Sequence, residues 1–189
     1  MADAFVEACR KTHPADRVAT VDVFGKDLPV FDGPILDAKY AILHGQPQSP
    51  QQREAWKAVE AIIREFTSAD RYVLAAPMWN FGIPYRLKQY IDILVQPGCT
   101  FSYSPAEGYK GLVTGKPILL VCARGGEYSQ AGSAALDMQK PYLELILRFI
   151  GFADIRSLLV EPTLAGGPDV AKAKTLSAIE QARKLAESF

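Results

Sequence analysis

The chain has 189 residues, of which 49% are hydrophobic and 22% charged, and its 21 Lys and Arg residues balance its 21 Asp and Glu residues. This length and composition fit one compact domain over residues 1–189. Zero net charge argues against nucleic-acid binding, because proteins that bind nucleic acids usually carry a basic surface. The longest apolar runs are far shorter than a membrane span, so we expect no membrane segment.

Cysteine and histidine content leads to two further expectations. The three cysteines are scattered and odd in number, and the chain begins without the pattern of a secretory signal. Both features favour reduced thiols and a cytoplasmic protein. His13 and His44 are isolated and cannot supply a usual zinc ligand set, so we predict no metal site.

The first quarter of the chain predicts two elements and a loop. Residues 3–11 read as the later part of a helix, which Pro14 ends. Residues 17–24 alternate between two sets of side chains and predict a strand. Residues 25–48 are rich in Gly, Pro and Asp without a clear period, which predicts a long loop.

From residue 49 onward, strands and helices alternate. Ser49 is the predicted N-cap of a helix that reaches residue 68, with Pro50 as its first residue and Gln52 as the reciprocal capping partner. The remaining predicted elements are strand 71–76, helix 84–95, strand 117–123, helix 139–150, strand 155–160 and helix 168–188. This alternation predicts a doubly wound parallel α/β sheet with helices on both faces.

An aromatic loop, Pro77–Phe81, connects strand 71–76 to the helix that Pro84 opens. In an open parallel sheet such a loop lies at the carboxyl end of its strand, where ligands bind. Its Met, Trp and Phe side chains offer flat apolar surface, and its backbone N–H groups offer hydrogen bonds. A planar heteroaromatic ligand needs both.

This loop and four further segments resemble the FMN-dependent NADH azoreductases and quinone reductases of the flavodoxin-like superfamily. The segments follow one another in the family's order and spacing over residues 76–126, and weaker similarity extends from Phe5 to Phe189. They are Ala76–Phe81, Leu87–Asp92, Gly98–Tyr103, Gly108–Lys116 and Arg124–Gly126.

The resemblance implies FMN as cofactor and assigns residues to its site. Residues of two loops would contact the flavin ring: Pro77, Met78, Trp79, Asn80, Phe81, Ala123, Arg124, Gly125 and Gly126. Many family members have Ser where this chain has Ala123. Asn80, Tyr103 and Phe149 would line the substrate site, with Tyr103 reaching the flavin of a neighbouring subunit in a homodimer. The alternative for Tyr103 and Phe149 is core packing.

The activity that the resemblance implies is two-electron, ping-pong hydride transfer. NADH or NADPH and then a quinone or azo compound would use the same face of the flavin. No Gly-x-Ser-x-Gly elbow or Gly-x-Gly-x-x-Gly motif points to a hydrolase or a dinucleotide-binding domain. A flavin-free, truncated relative with a binding or structural role is the alternative, and a flavodoxin-like electron carrier fits less well.

The family's first strand and its Ser-rich phosphate loop have no counterpart in the chain. A flavodoxin-like sheet has five strands in the order 2-1-3-4-5, whereas this sequence predicts four. We expect either a natural start on the order of 15–20 residues upstream, enough for a strand and its loop, or a truncated chain that binds FMN poorly. Direct pairing of strand 17–24 with strand 71–76 is a third arrangement.

Overall fold

The structure, a computed structural model, describes residues 1–189 and contains six helices and five strands. The helices are α1 (Ala2–Thr12), α2 (Gly33–Leu43), α3 (Pro50–Thr67), α4 (Tyr85–Leu94), α5 (Lys140–Ile150) and α6 (Gly167–Ala186). The strands are β1 (Tyr72–Pro77), β2 (Phe101–Ser104), β3 (Gly108–Gly111), β4 (Ile118–Ala123) and β5 (Ile155–Val160). The five predicted helices and the last three predicted strands are confirmed, with small shifts at their ends.

The main sheet is parallel, with the order β1-β4-β5. The central strand, β4, is buried on both faces. Ile118, Leu120 and Cys122 pack towards α4 and α5, whereas Leu119 and Val121 pack towards α1 and α6. Helices therefore cover both faces, and the predicted doubly wound α/β fold is confirmed.

The start of α3 confirms the capping box predicted from the sequence. Ser49 Oγ accepts a hydrogen bond from the backbone N–H of Gln52 at 3.2 Å, and the Gln52 side chain accepts one from the Ser49 N–H at 2.7 Å. Two otherwise unpaired donors are thereby satisfied. Behind this start, Trp56 and Val59 are buried in a core shared with α2 and α4.

One helix and two strands lie where the sequence predicted none. Helix α2 occupies part of the predicted loop 25–48; Pro34 lies in its first turn, and Ile35 and Ala38 bury one face. Strands β2 and β3 form an antiparallel hairpin in which Tyr103 is opposite Tyr109. None of the helices combines the length and the apolar composition that crossing a membrane requires.

The predicted strand over residues 17–24 is wrong. Residues 17–21 make no backbone hydrogen bond. Arg71, just before β1, lies 3.6 Å from the Asp16 carboxylate, and the Phe24 ring lies 5.7 Å from the Trp79 ring beyond the end of β1. The segment therefore runs beside β1 in the same direction without pairing with it. Alternating side chains favour an extended backbone, but a strand also needs a hydrogen-bonded partner.

Candidate functional site

The two loops predicted to face a ligand lie side by side. Because β1 and β4 are parallel neighbours with Pro77 opposite Ala123, the loops that follow them leave the same edge of the sheet. The Met78 N–H donates to the Ala123 carbonyl at 2.8 Å and joins the loops at their bases. The structure thus brings these predicted site residues to one edge of the sheet: Pro77, Met78, Trp79, Asn80, Phe81, Ala123, Gly125 and Gly126.

The first loop is a tight turn with an unusual backbone. Trp79 and Gly82 exchange two backbone hydrogen bonds of 3.1 and 2.9 Å, which leaves Asn80 and Phe81 as the two turn residues. Both have left-handed backbones, with φ of 47° and 69°. A type I′ turn requires this at both positions and favours Asn followed by Gly, so Phe81 is the departure. The N–H groups of Asn80 and Phe81 have no acceptor within the protein.

The second loop also presents unpaired donors. The N–H groups of Gly125 and Gly126 make no hydrogen bond, while the Gly125 carbonyl accepts from Leu164 and Ala165 at 3.0 and 2.9 Å. A Cβ at Gly125 would lie 2.9 Å from Leu164 Cδ1, and a Cβ at Gly126 would lie 3.3 Å from the Tyr128 ring. Glycine therefore allows this backbone to lie close to its neighbours while its donors stay free.

Together the loops form a surface suited to a flat, polar-edged ring. Four free N–H donors come from Asn80, Phe81, Gly125 and Gly126, and the half-exposed Trp79 and Phe81 rings add apolar area. The Tyr128 ring lies edge-on to Phe81 at 6.1 Å. These groups fit the ring system of FMN, whose carbonyl oxygens and ring nitrogens accept hydrogen bonds. Two surface cavities, of about 330 and 460 Å³, lie elsewhere and include no residue of either loop.

Arg124 differs from its predicted role as a cofactor contact. Its side chain is 1% exposed, and the guanidinium is held by Asp137, Gln139 and Glu161. Its backbone N–H donates to the Val160 carbonyl at 3.0 Å, and its own carbonyl accepts from Thr163. The contacts of Arg124 are thus all within the protein, because its side chain turns inward from the loop.

Glu161, which the sequence did not single out, lies behind the second loop, where it pairs with Arg124 and accepts from the Tyr128 and Ser129 N–H groups. Burial by itself raises the pKa of Glu161, but hydrogen bonds from Ser129, Tyr128 and Arg124 together lower that pKa below its ordinary value of 4.5. The carboxylate is therefore ionised beside the buried guanidinium. The available signal was its position: Glu161 directly follows β5, at the ligand-binding edge of the sheet.

Tyr103 and Phe149 lie apart from the two loops. Phe149 is nine residues after Lys140 in α5, about 13 Å along the helix, which runs from the carboxyl edge of the sheet towards its amino edge. Tyr103 lies on the hairpin, linked to Phe149 through Tyr109 by ring distances of 4.9 and 5.6 Å. These aromatic residues form one cluster, with Tyr103 56% exposed.

The three cysteines are free thiols. Burial raises the pKa of Cys122 to about 11, and burial also raises the pKa of Cys99. A raised pKa keeps a thiol protonated at neutral pH and lowers its nucleophilicity. Cys99 packs against the core that α2, α3 and α4 share, so both its position and its protonated thiol disfavour a redox role.

Comparison with known proteins agrees with this architecture. A family model described as a flavodoxin-like fold matches residues 1–186. The FMN-dependent NADH:quinone oxidoreductase of Nitratidesulfovibrio vulgaris (strain DP4) is 56% identical over 191 residues, covering 100% of this chain and 90% of that protein. A protein of the same name from Desulfotalea psychrophila is 45% identical over 98% of this chain and 89% of its own length.

Solved structures show the same arrangement. The crystal structure of the azoreductase from Bacillus anthracis str. Sterne has a TM-score of 0.88 and 30% identity, covering 99% of this chain and 89% of that one. The family resemblance seen in the sequence is therefore confirmed. The chain belongs to the flavodoxin-like family that includes these oxidoreductases.

Proposed function

We propose that this chain is an FMN-dependent NAD(P)H:quinone oxidoreductase that also accepts azo compounds. The observation that carries the proposal is the pairing of two loops at the carboxyl edge of β1 and β4, with four unpaired N–H donors. The relatives named above are called FMN-dependent NADH:quinone oxidoreductases, and a related structure is called an azoreductase. Both names fit an aromatic surface with donors at its edge.

Each loop would contribute a different part of the flavin site. When bound, FMN supplies two-electron hydride chemistry. The N–H groups of Asn80, Phe81, Gly125 and Gly126 would bind the ring edge and stabilise negative charge there, because fixed dipoles need no reorganisation. Met78 and Trp79 would contact the ring through apolar surface, and Pro77 and Ala123 would fix the loop bases.

Both substrates would use one open face in turn. NADH or NADPH and then a quinone or azo acceptor are flat molecules that can stack on the same aromatic surface. Asn80, exposed at the tip of the first loop, would orient them through its amide. The chain's own work is positioning and electrostatics, and the use of one site by both substrates in turn corresponds to a ping-pong cycle.

The site would be completed by a second subunit. Tyr103 and Phe149 lie away from the loops of their own chain, and Tyr103 is exposed. In a homodimer related by a two-fold axis, this aromatic cluster would form a wall of the partner's open site. A cytoplasmic location fits the three free cysteines.

Flavin binding and reduction by NADH test the proposal. The purified chain is titrated with FMN while flavin fluorescence is followed, then desalted, and NADH is added without oxygen. We expect retained flavin whose visible absorbance is lost with NADH and returns with a quinone. Bound flavin that NADH fails to reduce would indicate an electron carrier, and no bound flavin would indicate the flavin-free alternative.

A matched pair of variants ties that result to the loop donors. Gly126→Pro removes a free N–H, whereas Gly126→Ala keeps it and displaces only the flexible Tyr128 side chain. We expect Gly126→Pro to weaken FMN binding by about tenfold, the effect of one lost hydrogen bond to a charged or polarised acceptor. Gly126→Ala should retain most of the affinity. Equal affinities would argue against contact between this N–H and the flavin.

A further inference from the structure

A single buried guanidinium joins three separate segments behind the two loops. Arg124 donates through Nη2 to Asp137 at 2.8 Å, through Nε to Gln139 at 3.0 Å and through Nη1 to Glu161 at 3.2 Å. Its partners lie before α5 and after β5, 13 to 37 residues away in sequence. A charge buried this deeply is tolerated only when it is fully paired, as here.

Two chains of hydrogen bonds lead from Arg124 to the loops. Gln139 accepts from Arg124 and donates through Nε2 to the Ala76 carbonyl at 3.1 Å, at the base of the first loop. Glu161 accepts from the N–H groups of Tyr128 and Ser129 at 3.0 and 2.9 Å, just beyond the second loop. Arg124 is thus linked, through Gln139 and Glu161, to both backbone segments that carry the free donors.

We infer that Arg124 is a positioning residue that sets the relative placement of the two donor pairs, acting through Gln139 on one loop and through Glu161 on the other. The inference rests on the proposed flavin site. Donors bind a rigid ring well only when they are fixed before binding, and side chains behind the site supply that rigidity. A forked guanidinium suits this role because it bonds three partners in one plane, which a lysine cannot do.

Amide hydrogen exchange of the flavin-free protein tests the inference without requiring cofactor. Arg124→Lys keeps the charge and loses the fork. We expect faster exchange over residues 77–82 and 125–130 and unchanged exchange in α3. Ser49→Ala serves as a control, because it removes the α3 cap and destabilises the fold far from the site. The two loops of Ser49→Ala should exchange at the wild-type rate when each protein is measured at a denaturant concentration equally far below its own unfolding midpoint.

Gln139→Glu separates the two chains of hydrogen bonds and remains informative if Arg124→Lys fails to fold. The carboxylate still accepts from Arg124 but can no longer donate to the Ala76 carbonyl. We expect faster exchange over residues 77–82 only. The inference is overturned if exchange rises uniformly along the chain in both variants, or if neither loop changes.

Binding measurements on the same variants then connect positioning to the flavin. We expect both variants to weaken FMN binding by about tenfold, the effect of misplacing one donor, and to change the visible circular dichroism of bound flavin. Ser49→Ala should change neither quantity. Altered exchange with wild-type affinity and dichroism would overturn the inference. Failure of the wild type itself to bind FMN would contradict the proposed function, while the exchange result would still report on the loops.

Discussion

Phe81 occupies a backbone conformation that glycine usually takes. In the turn Trp79–Gly82, its φ of 69° is left-handed, a region that costs an L-residue other than Gly roughly 1–2 kcal/mol. Residues held in such conformations cluster at functional sites. The aromatic ring at this position lies beside Tyr128 and next to the free loop donors. The strained residue is therefore at the place where a flat ligand would bind.

Comparing Phe81→Gly with Phe81→Ala measures this cost. Both variants lose the ring and its contact with Tyr128, but only Gly relieves the left-handed strain. We expect the Gly variant to unfold at higher urea concentration, with a free energy of unfolding about 1 kcal/mol above that of the Ala variant. Equal midpoints would show that the turn is not strained at Phe81.

The residues of the loops could be predicted from the sequence, whereas the hydrogen bonds of the Arg124 side chain behind them could not. Pro77–Phe81 directly follows an apolar strand, and its aromatic composition is a local signal. The inward direction of the Arg124 side chain depends on Asp137, Gln139 and Glu161, which meet it only after the sheet and α5 are assembled. A sequence pattern near Arg124 carries no information about those partners.

The hairpin β2–β3 meets the end of α5 at two glycines, Gly111 in β3 and Gly151 at the C-cap of the helix. A Cβ on Gly111 would overlap the backbone of Ile150 and Gly151, and Gly151 itself has φ of 120°. The Val113 N–H donates to the Ile150 carbonyl at 2.8 Å beside this contact. The close approach of the two backbones therefore fixes the aromatic cluster that the hairpin carries.

Gly111→Ala should displace this hairpin. The added methyl group meets backbone rather than a flexible side chain, so we expect a loss of about 1–3 kcal/mol in the free energy of unfolding. Gly132→Ala is the control, because its Cβ would meet nothing within 4 Å and should change stability by less than about 0.5 kcal/mol. Urea denaturation compares them; a Gly111→Ala variant as stable as Gly132→Ala would contradict the close packing.

Elements with a clear cap or a buried apolar run could be predicted, whereas the missing partner of residues 17–24 and the short hairpin could not. Helix α3 has a capping box and a regular apolar face, so its bounds follow from the sequence. Residues 17–24 have the alternation of a strand but no partner, and β1 pairs only with β4. The four-residue strands of the hairpin are too short for periodicity to detect.

At the scale of the whole molecule, the loops and the aromatic cluster lie on different parts of the chain. The loops follow β1 and β4 at the carboxyl edge, whereas α5 carries Phe149 towards the other edge. If both contribute to one site, that site combines two chains. The proposed homodimer would therefore be needed to complete each catalytic site.

Mixing two impaired variants tests that claim, with free FMN kept well below the dissociation constant of the Gly126→Pro protein. One variant carries Gly126→Pro in the loop, and the other carries Tyr103→Ala with Phe149→Leu in the cluster. When the two are dissociated together and allowed to reassociate, half of the dimers contain one of each, and only the subunit with the intact loop faces the intact cluster. One site in four is then complete, so we expect about one quarter of wild-type quinone reductase activity in addition to the residual activity of the impaired sites. Activity equal to the mean of the separate variants would mean that loop and cluster act within one subunit or not together, and a monomer in sedimentation at assay concentration would exclude the shared site.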